Sequence, residues 1–207
     1  MNILKFLSIC LLSPIFLNSC QLHNQTISLG NPNSEIRWVY LCGLTNAFDS
    51  FTEKNTRKIL DQIGKQLNIS IIAIHPPKRS PIHQNMFCWP HHNKQDVQNT
   101  YSYVKQKMTG KPISGYIGFS NGGFFLLKLA ELESIKKPLI VVGAGTHPKN
   151  TKCSNQIFLL IGKQDEAHYA LGKKYYQNSQ LDVTLIEYDG GHSIPKTILE
   201  QLIKGIV

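Results

Sequence analysis

Residues 113–132 read Ile-Ser-Gly-Tyr-Ile-Gly-Phe-Ser-Asn-Gly-Gly-Phe-Phe-Leu-Leu-Lys-Leu-Ala-Glu-Leu. The apolar run up to Phe119 predicts a strand over 113–119, and the run beyond it predicts a very apolar helix over 122–132. Between them lies Gly118-Phe119-Ser120-Asn121-Gly122, a G-x-S-x-G pentapeptide at a strand-to-helix junction. Such a sharp turn lifts the serine side chain out of the sheet, and glycines on either side leave room for the crowded backbone. A helix starting at Asn121 aims its free N–H groups and the positive end of its dipole at the same place. A bystander serine in a glycine-rich turn would carry the same pentapeptide, so the decision rests on the other strand ends.

Outward from this junction the chain alternates. Strands are predicted at 36–42, 69–74, 138–142, 157–161 and 183–188, and helices at 51–67, 96–108, 166–176 and 194–206. Asp49 or Ser50 would cap the first helix. Six strands mostly separated by helices imply a mostly parallel sheet covered on both faces, a three-layer α/β arrangement. The continuous β-branched run at 69–74 suits a strand buried on both faces. Residues 78–92 form a long polar loop, and 143–156 are too irregular for a full crossover helix. Ligands bind beyond the carboxyl ends of such strands, so function is read from the residues just past each strand.

Two further strand ends carry chemistry. The strand at 157–161 runs into Gly162-Lys163-Gln164-Asp165-Glu166, and the last strand into Tyr188-Asp189-Gly190-Gly191-His192-Ser193-Ile194-Pro195. Asp165 is the expected acid partner of His192. Its plainer role would be a helix cap, and Glu166 and Asp189 are alternatives. The paired glycines let His192 turn back toward Ser120. The order Ser, Asp, His, each after a strand, is that of the α/β-hydrolases. The chain resembles that superfamily over residues 36–206, and within it the small phospholipase/carboxylesterase group. There Gln commonly stands where this chain has Asn121, and a His-Gly pair where it has Cys42-Gly43. The opening strands of larger members are missing or vestigial, and no insertion is long enough for a large lid.

The resemblance implies a Ser120–His192–Asp165 triad that cleaves carboxylic esters through an acyl-serine. A thioesterase or peptidase with the same triad, or an inactive binding protein of the same fold, is the alternative. The backbone N–H groups of Asn121 and Leu44 would form the oxyanion hole. Phe87 and Trp89 would line the acyl pocket, or else cover the edge of the core. His83, Cys88, His91 and His92 fall in one loop without the paired spacings of a zinc site, so neither metal nor cofactor is expected. His75 and His147 also follow strands. Of Cys42, Cys88 and Cys153, the first two lie beyond neighbouring strands and are the expected disulfide pair if any forms.

The chain has 207 residues, 42% hydrophobic and 17% charged, which suits one globular domain rather than a disordered chain. A mean hydropathy of −0.17 excludes a polytopic membrane protein. Residues 1–19 carry one charge, Lys5, and an apolar run, and end Leu17-Asn18-Ser19 before Cys20. This resembles a lipoprotein signal, with Cys20 lipidated, 20–34 a tether and 35–207 the catalytic domain. Gln21 is not Asp, which resembles the outer-membrane default of a bacterial cell envelope. The net charge of +9 comes from 22 basic residues, of which only Arg37, Arg57 and Arg79 are arginines. The lysines are scattered, so a nucleic-acid partner is not expected. The expected partners are a small-molecule or lipid ester and, through the anchor, a membrane.

Overall fold

The computed structural model describes residues 26–46, 50–83, 85–108, 110, 112–146 and 155–207. The proposed signal, Cys20, His147 and Cys153 lie outside the described residues. The strands are β1 (Thr26–Gly30), β2 (Arg37–Leu41), β3 (Ser70–Ile74), β4 (Lys78–Arg79), β5 (Phe87–Cys88), β6 (Gly115–Phe119), β7 (Leu139–Val142), β8 (Gln156–Gly162) and β9 (Asp182–Tyr188). The helices are α1 (Phe51–Gln66), α2 (Lys94–Lys107), α3 (Asn121–Leu132), α4 (Glu166–Asn178) and α5 (Lys196–Ile206).

The central sheet has seven strands in the order β1-β3-β2-β6-β7-β8-β9. All neighbours are parallel except β1, which runs antiparallel to β3 from Thr26↔Ile74 to Gly30↔Ser70. The sheet thus exceeds the six strands expected. Thr26–Gly30, within the segment expected to be tether, is its edge strand. The residues of β3, β6 and β7 are buried throughout, as parallel strands covered on both faces require. Alternate side chains feed two cores. Trp38, Tyr40 and Cys42 pack with Leu60 and Ile63 of α1 and Leu199 and Ile203 of α5. Val39 and Leu41 face the other layer, with Val97 of α2, Phe125 of α3 and Tyr175 of α4. Each such buried side chain contributes roughly 1.5–3 kcal/mol.

Ser50 caps α1 by accepting from the Glu53 N–H at 3.4 Å, and Asn93 caps α2 by accepting from the Asp96 N–H at 2.8 Å. The long loop after β3 carries the small β4–β5 ladder, and Thr45↔Phe87 bridges it to the loop after β2. No helix among the described residues is long and apolar enough to cross a membrane.

Candidate active site

Ser120 joins β6 to α3 with φ 51° and ψ −116°, outside the helical and extended regions. Three bonds hold this conformation. Its N–H donates to Val142 O at 2.9 Å, its carbonyl accepts from Phe124 N–H at 2.9 Å, and Gly122 N–H donates to Cys42 O at 3.1 Å. Gly122 is required by contact: a Cβ there would sit 2.2 Å from the Leu41 carbonyl oxygen. The first turn of α3 is therefore seated against the end of β2, with Gly43 facing the Ser120 side chain. Thr45 N–H donates to Phe87 O at 3.2 Å. The N–H groups of Leu44 and Asn121 make no backbone hydrogen bond among the described residues.

Asp165 and His192 meet at the ends of β8 and β9. Lys163 N–H donates to Tyr188 O and Gln164 N–H to Gly190 O, each at 2.9 Å, tying the two turns together. The Tyr188 hydroxyl lies 3.1 Å from Gly191 O and 2.7 Å from Ser193 O, pinning the His192 turn from within. His192 Nδ1 lies 2.5 Å from Asp165 Oδ2, so Nδ1–H donates to the carboxylate, and in the neutral ring this leaves the lone pair on Nε2. Asp165 occupies the cap position of α4, yet its side chain makes no capping bond. Glu166 sits in the first turn of α4, and Asp189 pairs with Lys163 at 3.0 Å; neither bonds His192.

The other carboxylate oxygen has a partner the sequence did not single out. His168 Nδ1 lies 2.8 Å from Asp165 Oδ1, and its ring stacks on that of His192 at 4.4 Å and 21°. Burial works to raise the Asp165 carboxyl, but the bonds from His168 and His192 outweigh it and hold the group below its ordinary value. The one signal for His168 is its place three residues after Asp165 on a predicted helix, which puts both on one face. His192 also meets the Phe119 ring at 4.9 Å.

A cavity of about 540 Å³ opens beside the elbow, lined by Leu44, Trp89, His91, Asn121 and the loop at Ile82 and His83. Asn121 fastens that loop. Its Oδ1 accepts from Trp89 N–H at 2.6 Å, and its Nδ2 lies 3.4 Å from Trp89 O and 3.3 Å from His91 Nδ1. Burial lowers the His91 pKa. Trp89 is both core and lining: it is fully buried and packs on Phe125 at 5.7 Å. Phe87 lies outside that lining, against His75 at 4.9 Å and under Arg79 at 5.3 Å.

Cys42 and Cys88 are free, not the expected disulfide. Cys42 faces the α1–α5 layer, whereas Cys88 lines the cavity. Burial, then the nearby Glu53, pushes the Cys42 thiol well above its ordinary pKa, so it stays protonated. Glu53 lies 3.4 Å from the Tyr40 hydroxyl and 3.8 Å from Arg57 Nε, and burial raises its pKa to about 8. His83, Cys88, His91 and His92 do not converge. Among the described residues the one group of three potential metal ligands is Asp165, His168 and His192.

A family model described as Serine hydrolase (FSH1) matches residues 32–201. No curated protein matches the chain. Solved structures do. Zea mays acyl-protein thioesterase 2 is 14% identical with a TM-score of 0.61, over 88% of this chain and 99% of that one. Esterase PE8 is 13% identical with a TM-score of 0.61, over 89% and 98%. YahD, solved with malic acid, is 12% identical with a TM-score of 0.62, over 89% and 100%. At these identities the likeness establishes the α/β-hydrolase fold.

Proposed function

Because the chain belongs to the serine hydrolase (FSH1) family, we propose that it cleaves carboxylic esters through an acyl-enzyme formed on Ser120. The observation that carries this reading is the 2.5 Å bond between His192 Nδ1 and Asp165 at the C-terminal edge of the sheet that also presents the Ser120 elbow. His192 Nε2 takes the Ser120 proton as Oγ attacks the ester carbon, then gives it to the leaving alcohol; Asp165 stabilises the imidazolium in between. Water resolves the acyl-serine by the same proton path. The Asn121 and Leu44 N–H groups receive the oxyanion, and loss of one such donor costs roughly 3–4 kcal/mol of transition-state stabilisation. The acyl chain lies in the cavity beside the elbow, along Leu44, His91 and Asn121.

A thioester is the second reading, favoured by the likeness to an acyl-protein thioesterase. The lipoprotein-like start, ending at Cys20, supports action at a cell envelope. The test is hydrolysis of p-nitrophenyl acetate, butyrate and octanoate, beside matched thioesters. Ser120→Ala and Asp165→Asn should each lower kcat by at least about 10³-fold. Turnover unchanged in Ser120→Ala would refute the proposal, and full activity in Asp165→Asn would remove Asp165 from it.

A further inference from the structure

The Asp165 carboxylate is shared by two histidines, and the proposed hydrolysis uses only one. His168 and His192 approach it through Nδ1, at 2.8 and 2.5 Å, on different oxygens and with stacked rings. Nitrogen or oxygen atoms, one from each of the three residues, lie within 4.8 Å of one another. Two imidazole nitrogens and a carboxylate oxygen are the donor set of a borderline ion such as Zn²⁺, with water in the fourth position; Mg²⁺ and Ca²⁺ prefer oxygen alone. Zinc bonds of about 2.0–2.2 Å set the ligand atoms of a tetrahedral ion roughly 3.3–3.5 Å apart. To reach that size the His–Asp contacts of 2.8 and 2.5 Å open and the more distant ligand atoms, within 4.8 Å of one another, draw in. Both rings can make these shifts, with side-chain exposures of 28% for His168 and 35% for His192.

We propose that Asp165, His168 and His192 form a site for a divalent first-row transition metal ion, with Zn²⁺ the best fit, and that its occupation switches the hydrolase off. The second half rests on the role given to His192 above. A metal ion on Nδ1 of His192 takes the lone pair at that atom. The ring proton then moves through water from Nδ1 to Nε2, so the neutral ring loses none. Nε2 now carries a hydrogen where the reaction needs a base, and Asp165 is drawn onto the metal.

The test is to titrate the metal-free protein with ZnCl₂, following binding by calorimetry and rate with p-nitrophenyl butyrate. Wild type and Ser120→Ala should each bind one Zn²⁺, and bound Zn²⁺ should abolish wild-type turnover. His168→Gln keeps an N–H donor for Asp165 but is a poor zinc ligand. Its own metal-free rate is the baseline against which its inhibition by Zn²⁺ is read. Its zinc affinity and the inhibition should weaken together by more than about 100-fold, since losing even an outer partner of a metal ligand costs roughly 10–100-fold. His91→Gln/His92→Gln should bind Zn²⁺ as tightly as wild type, and Mg²⁺ should do nothing. Absence of stoichiometric binding, undiminished binding in His168→Gln, or binding lost only in the His91/His92 variant would overturn the site. Zinc bound to wild type without slowing Ser120-dependent turnover would overturn the switch and count against His192 as the base, while leaving the site standing.

Discussion

Gly143, in the turn after β7, holds the space that His192 occupies. Its φ is +59°, and a Cβ there would lie 2.9 Å from His192 Nδ1 and 3.0 Å from its Cε1. Ordinary contacts start near 3.4 Å, so in Gly143→Ala the ring retreats by roughly 0.5 Å or more and the bond to Asp165 lengthens. A misplacement approaching 1 Å costs about 100-fold in rate, or about 2.7 kcal/mol. The backbone cost of alanine at positive φ, roughly 1–2 kcal/mol, is separate. Gly110 isolates it: φ is +73° and nothing lies within 4 Å of a Cβ. Both variants should lose similar stability in urea melts. Only Gly143→Ala should lose kcat, by roughly 30- to 100-fold, with KM nearly unchanged. A kcat for Gly143→Ala within threefold of Gly110→Ala would refute the reasoning.

The strain at Ser120, worth roughly 1–3 kcal/mol, is relieved by glycine and not by alanine, so Ser120→Gly should unfold at higher denaturant than Ser120→Ala; the reverse order would discount the strain. Asn121→Ala keeps the elbow N–H but leaves the Trp89 N–H without its acceptor, which should cost about 1–3 kcal/mol of stability and raise KM; unaltered KM and stability would show the clamp to be idle. Glu53 has a folded pKa of about 8 against 4.5 when unfolded, so the folded state holds the extra proton between those values. Its contribution is complete below pH 4.5 and is lost as pH rises through 8, by at most about 5 kcal/mol. Glu53→Gln should match wild-type stability near pH 5 and exceed it at pH 9; parallel curves would contradict this.

Much of the site was legible because it sits at strand ends. Val, Ile and Leu runs mark parallel strands, and Ser120, Asp165 and His192 follow three of them at glycine-rich turns. The edge strand escaped notice because Thr26–Gly30 is short, has one buried residue, Leu29, and lies in an Asn-rich segment that reads as a tether. The i, i+3 spacing from Asp165 was the one visible sign of His168; its stacking on His192 joins two separate strand ends, which no local spacing encodes. The grip of Asn121 on Trp89 depends on how the loop after β3 folds back. Cys42 and Cys88 follow neighbouring strands, but side-chain direction, not strand adjacency, decides whether two sulfurs meet.

The most direct test of the central claim is fluorophosphonate labelling read by mass spectrometry. The account predicts one adduct per chain, mapped to Ser120, slowed strongly in His192→Ala and absent from folded Ser120→Ala. An adduct on another residue, or none on the folded wild-type protein, would contradict it.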